Sequence, residues 1–582
     1  MTLTIYMEGD IRSQFLFVSL GFLPSPMSFL RIFWAASRPS YWRNRGRSDN
    51  HDDSIALLPP TLHSDGENSS WTENEARLPL RHPRHRRWRR PTLTVILVIL
   101  GSLALVLIVI TVRRMPIFTA PTTMAALTAA RLSVDALYHR QSRSLAQASA
   151  RYTLRNGRSP PPNYEKWYNF AREKKCLIDE YDQIYRDFEP FYQLATENPA
   201  HFREMVERAS EKVRSAEVAV VEINNSEVQI VAESGTAYTY YWAITLGRFS
   251  QSLPNMTLLL NGRDEPRVAF NYRVLGAKDH AFDFEDTTPF EISPRPTAEF
   301  FKKQSGCIIA NDATGFMSSV NDDSAFLIST AKPGFTTDLY PVLSMAKVSP
   351  CFSDILFPSE YYYDQSWWSP KFSYPDNVAW ENKKSQIYWR GMSNGGMILG
   401  DNYHHFARFK LADMARKHPD LMDVAITRFA ETLCEEGCDR DAVVAEYNIT
   451  GDSQPREDLY RYKYAIDVDG TTFSGRYLGL LRSGSLVFKA TIFEEYFDDW
   501  LVPYEHFVPV LPDLSDLVQK IKWANSHPEE ARLIQQKGLE VARRVLTDNQ
   551  NDCYFFAVLL EWARLYGMAK SQDKTMPSRS NW

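Results

Sequence analysis

Apolar and polar positions change their spacing several times along the 582 residues, and each change predicts a different element. Residues 1–91 are polar, rich in Arg, Ser and Pro, and without periodicity, which predicts a disordered tail. Within them residues 14–36 are apolar but are interrupted by two prolines and Arg31, so they read as an interfacial segment and not as a span. Residues 92–112, TLTVILVILGSLALVLIVITV, contain no charge. As a helix they cover about 30 Å, the depth of a bilayer's hydrocarbon core, and predict one transmembrane helix. Residues 113–163 are Ala-rich and helix-prone until RNGRSPPPNY breaks them, and they predict a stem.

From residue 164 the texture becomes globular. Aromatics three and four apart make 164–215 helical, and VAVVEIN, VQIVAE and YTYYW then read as strands. LLLNGRDEPRV reads as an apolar strand entering a polar loop. Beyond residue 375, QIYWRG, MDVAITRF, YKYAIDVDG, LVFKA and HFVPV are strand-like. Helical stretches such as HHFARFKLADMARKH, SGRYLGLLRSGS and PEEARLIQQKGLEVARRVL fall between or after them. Strands alternating with helices predict a parallel α/β sheet. The division is therefore a tail (1–91), a span (92–112), a stem (113–163), two lobes (164–375 and 376–570) and a short tail (571–582).

Charge changes this picture in two places. The net charge of −5 gives no case for a nucleic-acid partner. Six arginines in residues 81–90, against Arg113 and Arg114 beyond the apolar run, predict that the N-terminus stays cytosolic and residues 115–582 are lumenal. All six cysteines, Cys176, Cys307, Cys351, Cys434, Cys438 and Cys553, follow the run, as an oxidising compartment requires. Sequence alone allows fifteen pairings. Three glycosylation triplets also follow the run, beginning at Asn224, Asn255 and Asn448.

Candidate chemistry gathers where strands of the parallel sheet end, because ligands bind outside the carboxyl ends of such strands. Met392-Ser393-Asn394-Gly395-Gly396 follows one strand, and Thr471-Thr472-Phe473-Ser474-Gly475-Arg476 follows another. Small-residue loops leading into helices offer backbone N–H groups to a diphosphate. Neither is a P-loop, because neither holds Gly-Lys-Ser/Thr. Arg390, Arg408 and Arg476 lie at or near these loops and suit bidentate pairing with phosphate oxygens. In the first lobe Asn261-Gly262-Arg263-Asp264-Glu265-Pro266-Arg267 presents carboxylates in a loop that Pro266 stiffens, and one of them is a candidate general base.

These residues resemble glycosyltransferase family 90, which holds capsule-associated xylosyltransferases and protein O-glucosyltransferases. The strongest match is YKYAIDVDGTTFSGRYLGLLRSGSLVFKATIFEEYFDDWLVPYEHFVPVLPDLSDL, similar to the family's C-terminal block. IYWRGMSNGG resembles its Trp/Phe-Arg-Gly loop, LLLNGRDEPRV its Asn-x-x-Asp-x-Pro loop, and NDCYFFAVLLEWARL its closing Cys-Tyr helix. The likeness covers residues 165–570. It implies a GT-B-like fold of two α/β lobes and an inverting transfer from a UDP-sugar to a glycan or glycoprotein. Asp264 then corresponds to the catalytic base. Thr471, Thr472, Phe473, Ser474, Gly475 and Arg476 correspond to the donor loop, and Arg390, Gly391 and Arg408 to the phosphate side. Met392 stands where a Ser is common, which shifts the expected hydroxyl contact to Ser393. The same resemblance implies the disulfides Cys176–Cys553, Cys307–Cys351 and Cys434–Cys438.

Asp467-Val468-Asp469 matches a metal-binding Asp-x-Asp pattern of another glycosyltransferase class, but it ends a buried strand, and the expected fold needs no metal. The tail and anchor point to the xylosyltransferase branch, so UDP-xylose is the first expected donor and UDP-glucose the second. With no Lys-Asp-Glu-Leu ending, the expected location is the Golgi membrane, single-pass, with the catalytic part lumenal. Two other readings remain: a non-catalytic lumenal lectin or chaperone on the same fold, which would lack an intact base and arginine set, and a glycoside hydrolase, which needs two facing carboxylates.

Overall fold

The computed structural model describes residues 3–8, 15–20, 134–212, 217–232, 238–272, 336, 338–349, 351–364, 378–396, 398, 400–434, 437–452 and 454–572. The chain forms two units, residues 1–109 and 110–582. In the first, β1 (Leu3–Glu8) and β2 (Phe15–Leu20) pair antiparallel, Leu3 opposite Leu20 and Glu8 opposite Phe15. The polar composition of 1–91 predicts no structure there. The runs LTIYME and FLFVSL are local exceptions, rich in strand formers.

The second unit opens with helices: α1 (Val134–His139), α2 (Leu145–Asn156), α3 (Tyr164–Glu173), α4 (Asp182–Ala195) and α5 (His201–Lys212). Ser144 caps α2 by accepting from the Gln147 N–H, and Gly157 ends it at φ 64°, where glycine carries no Cβ penalty. α2 lies in the stretch predicted as stem, but it buries Ala148 and Tyr152, and the Tyr152 hydroxyl donates to Glu561 at 2.6 Å.

A mixed sheet follows, ordered β4-β3-β5-β6-β7. Its strands are β3 (Val218–Asn224), β4 (Glu227–Ala232), β5 (Met256–Asn261), β6 (Leu343–Ser344) and β7 (Ile355–Leu356). β3 runs antiparallel to β4 and β5, whereas β5, β6 and β7 are mutually parallel. YTYYW, predicted as a strand, is instead the start of α6 (Tyr238–Gly247). Its buried residues Tyr238, Thr239, Trp242, Thr245 and Leu246 fall at i, i+1, i+4, i+7 and i+8, a helical face that five aromatic-rich letters do not reveal.

The second sheet is wholly parallel, ordered β9-β8-β10-β11-β12. It comprises β8 (Lys384–Met392), β9 (Met422–Arg428), β10 (Tyr462–Val468), β11 (Leu486–Ala490) and β12 (Val508–Pro509). All of β11 and nearly all of β10 are buried, as strands covered on both faces must be. β12 is an edge strand of two residues, the position that tolerates Pro509. The helices are α7 (Ala407–Lys417), α8 (Arg440–Tyr447), α9 (Tyr477–Arg482), α10 (Leu517–Ser526), α11 (Pro528–Arg544) and α12 (Asp548–Gln572).

α12 returns to the first half and packs on α3, α4 and α5. The Trp167 indole donates to the Cys553 carbonyl at 2.9 Å, and the Cys176–Cys553 disulfide joins residues 377 apart in sequence. Cys434 pairs with Cys438, and Cys351 is also disulfide-bonded. Cys307 lies outside the described residues.

The fold class expected from sequence needs one correction. The 92–112 run lies outside the described residues, and among the described residues no helix is long and apolar enough to cross a membrane. The longest, α12, carries Asp548, Asp552, Glu561 and Arg564, and these charges join a protein interior: Glu561 accepts from Tyr152, and Asp552 pairs with Arg248 at 2.7 Å. The described architecture is a mixed α/β unit with two five-stranded sheets, and no helix among the described residues supports the expected single span.

Candidate active site

β8 and β10 are neighbours, with β9 continuing outward on one side and β11 and β12 on the other. The strand order reverses between them, and the crevice at such a switch point is where open α/β sheets bind ligands. A cavity of about 380 Å³ opens there. Its walls are Gly391, Met392 and Asn394 after β8, Gly470 to Arg476 after β10, Arg408 on α7, Arg456, and, from the other half of the unit, Asp264 and Tyr361.

Asp264 is brought to this cavity by β5. Asn261, the last residue of that strand, ties the loop: its Nδ2 donates to the Glu265 carbonyl at 2.7 Å and its Oδ1 accepts from the Arg263 N–H at 3.0 Å. The half-buried Asp264 accepts through Oδ1 from the hydroxyl of Tyr238 at 3.1 Å. Tyr238 shares a second 3.1 Å hydrogen bond with the Tyr361 hydroxyl. Burial and the Asp264 charge hold both phenols above their ordinary range, so both stay protonated.

The basic wall is made by Arg408, Arg456 and Arg476. Arg408, 7% exposed, donates through Nε to the Asp469 carbonyl and through Nη1 to the Met392 carbonyl, both at 3.0 Å. Burial, reinforced by Arg476, pushes its pKa down to about 9. Arg476 donates through Nη1 to the Arg390 carbonyl at 2.8 Å, while its buried Nη2 has no hydrogen-bond partner among the described residues. Burial lowers its pKa too, and nearby Asp467 opposes the shift. Both guanidiniums approach the Trp389 ring, at 5.5 and 5.4 Å from its centroid. The indole folds over Gly391, where a Cβ would meet it at 2.5 Å, so the Trp-Arg-Gly sequence is a packing requirement.

The loop after β10 closes on itself through the Gly470 N–H, which donates to the Thr472 carbonyl at 2.8 Å. Thr472, Phe473 and Ser474 are buried in it, and Thr471 and Gly475 are half-buried. Beneath it Asp467 and Asp469 are 1% and 3% exposed. Burial raises the Asp467 carboxyl and pushes Asp469 up to about 7, and the Ile492 N–H donates to Asp469.

Two expected site residues turn elsewhere. Arg390 pairs with Asp423 on β9 at 2.5 Å and donates to Gln454 at 2.7 Å, lining an adjoining cavity of about 260 Å³ and not the one that holds Asp264. Ser393 is fully buried, and its hydroxyl accepts from the Ala430 N–H at 2.8 Å. Tyr238, Tyr361, Asn394 and Arg456 belong to the site without having been singled out from sequence. Asn394 stands in the quoted loop and carries a buried Oδ1 with no hydrogen-bond partner among the described residues. Arg456 borders both cavities and follows Pro455 in a stretch with no periodic signal. Of the three triplet asparagines, Asn255 and Asn448 are exposed, and Asn224 is half-buried with its amide donating to Glu222.

Fold and cavity thus define an α/β protein whose switch-point crevice sets a carboxylate against guanidinium groups. Residues 370–578 match the model of Glycosyl transferase family 90. The chain is 33% identical over 188 residues to Protein O-glucosyltransferase 2 of Danio rerio, covering 32% of this chain and 34% of that one. It is 31% identical over 186 residues to Protein O-glucosyltransferase 3 of Homo sapiens, covering 32% and 33%. It is 26% identical over 222 residues to Uncharacterized protein 035R of Invertebrate iridescent virus 3, covering 35% and 19%. The match spans about a third of the O-glucosyltransferases' length. The likeness to glycosyltransferase family 90 thus rests on residues 370–578.

Proposed function

We propose that this protein is an inverting glycosyltransferase that moves a sugar from a UDP-sugar to a hydroxyl of a glycan or glycoprotein. The observation that carries this reading is the single cavity shared by Asp264, Arg408 and Arg476. The lobe of residues 376–570 takes the donor and that of 164–375 the acceptor. The acceptor hydroxyl attacks C1 of the sugar from the face opposite UDP and gives its proton to Asp264. As the new C–O bond forms, the bond from C1 to the diphosphate breaks, and UDP leaves with the electron pair. Attack opposite the leaving group inverts the anomeric centre.

The charge that develops on the diphosphate meets Arg476 and Arg408, together with the Thr471–Arg476 loop. Preorganised donors in a water-poor site act strongly on such charge. A base of this kind contributes about 10²- to 10⁴-fold, and fixed alignment of the two substrates supplies much of the rest. Guanidiniums provide the electrophilic assistance, so the proposed reaction requires no divalent cation. The relatives' names favour UDP-glucose as donor, with UDP-xylose second. The Cys176–Cys553 and Cys434–Cys438 disulfides support an oxidising, secretory compartment.

The test supplies the purified protein with a panel of UDP-sugars and a glycoprotein extract, and measures released UDP with and without EDTA. Release above hydrolysis from UDP-glucose or UDP-xylose, insensitive to EDTA, is expected. Release from no donor would instead favour a carbohydrate-binding protein on the same fold.

A further inference from the structure

The proposed reaction gives roles to Asp264 and to the loop after β10, but these stand on different sheets, and something must fix one against the other. Two tyrosines lie between them. Tyr238 opens α6 and is 6% exposed; its ring packs on Trp242 at 5.8 Å, and its hydroxyl donates to Asp264 at 3.1 Å. Tyr361 hydrogen-bonds Tyr238 and reaches the donor-side loop with its ring. A Cβ on Gly475 would sit 2.6 Å from Cγ and Cδ1 of Tyr361, so the ring fills the space that any other residue's side chain would take. Phe473 meets the same ring edge-on, centroids 5.8 Å apart and planes at 87°.

Resting on the glycosyltransferase reading, we propose that Tyr238 and Tyr361 are positioning residues that transmit the placement of the Phe473–Gly475 loop to the Asp264 carboxylate. The Tyr238 hydroxyl fixes rotation of the carboxyl group and favours its ionised form, the form that accepts a proton. Tyr361 holds that hydroxyl in place and is itself held by the loop. Because its ring abuts Gly475 directly, a shift of the loop moves the ring, and the hydrogen bond to Tyr238 moves with it. The base is thereby aligned when the donor loop is in its binding arrangement.

The experiment compares the full-length protein with Tyr238→Phe, which keeps the ring and removes only the hydroxyl. Three quantities are read on a donor that the wild-type protein uses: kcat and KM, the pH profile of kcat, and UDP binding by calorimetry. The expected result is a kcat lower by about ten- to a hundredfold, the loss that follows removal of a hydrogen bond to a charged group. UDP affinity should stay within about twofold, and the acidic limb should move up by about one pH unit, because a carboxylate that loses a donor is easier to protonate. Arg408, Arg456 and Arg476 are unchanged in the variant, so the displaced limb reports Tyr238. Tyr361→Phe should act in the same direction by a smaller factor, and it replaces Tyr238→Phe as the test if the latter does not fold. Unchanged kcat and an unmoved limb in an active background would overturn the proposal and leave the glycosyltransferase reading intact. Wild-type protein inert toward every UDP-sugar would remove both.

Discussion

Arg476 donates through Nη1 to the carbonyl of Arg390 at 2.8 Å, fastening a cation from the loop after β10 to the end of β8. The same guanidinium leaves its buried Nη2 without a hydrogen-bond partner among the described residues. A buried donor in that state costs about 1–3 kcal/mol, and an anionic oxygen in the cavity would recover it. Lysine carries its donors on one nitrogen and has no planar fork, so it cannot reach the Arg390 carbonyl and the position of Nη2 with separate nitrogens as arginine does. Arg476→Lys should raise the KM for the nucleotide sugar about tenfold or more with little change in melting temperature. Steady-state kinetics over a donor titration checks this.

Asp264→Asn keeps an oxygen for the Tyr238 hydroxyl and removes the proton acceptor. Turnover should fall by about 10²- to 10⁴-fold while UDP binding is retained. An equal loss of UDP affinity would place Asp264 in donor binding and not in proton transfer.

Gly538 lies inside α11, and a Cβ there would approach the His506 carbonyl oxygen to 2.3 Å. Alanine gains about 1 kcal/mol of helix propensity, but overpacking costs about 1–3 kcal/mol and the obstacle is backbone, which cannot swing away. Gly538→Ala should destabilise by up to about 2 kcal/mol, read from the urea midpoint, without changing turnover per folded molecule.

The Cys176–Cys553 bond pins α12 to the segment after α3, beside the Leu177 N–H that donates to Gln550 at 2.8 Å. Replacing both cysteines with serine should cost about 2–5 kcal/mol and lower the melting temperature. Opening the Cys434–Cys438 bond, which closes a loop of sequence separation 4, should cost less.

Glu360 is 2% exposed, and burial pushes its pKa up to about 8, with Arg248 opposing the shift and Asp552 and Asp548 adding to it. From an unfolded value of 4.5 up to about 8 the folded protein holds this proton and the unfolded chain does not. The folded state therefore loses stability as pH rises through that window. Glu360→Gln should remove this part of the slope, so that the stability difference between variant and wild type grows in the variant's favour from pH 5 to 8. Urea midpoints at several pH values measure it.

The strand-helix alternation after residue 375 was legible because each segment has its own period, and the structure returns the five strands in those places. Arg408 and the Thr471–Arg476 loop were legible because residue type and strand-end position coincide, whereas Asp264 was singled out from its loop only by the family resemblance; all line one cavity. Tyr238 was not. It sits in YTYYW, whose bulky residues resemble a strand, and its role arises from a hydrogen bond to a residue 26 positions away.

Sequence by itself determined which stretches become strands and helices of the parallel sheet, and which loops carry small residues and charges, since these follow from local spacing. Tertiary structure decided where each side chain points. Arg390 and Ser393 stand in the expected loop, yet Asp423 and the Ala430 N–H, brought alongside by strand pairing and loop packing, claim them. Asn394 and Arg456 enter the cavity because chain segments distant in sequence converge there. Strand order likewise set the switch point between β8 and β10, which no local pattern encodes because pairing partners are chosen by packing across the whole sheet.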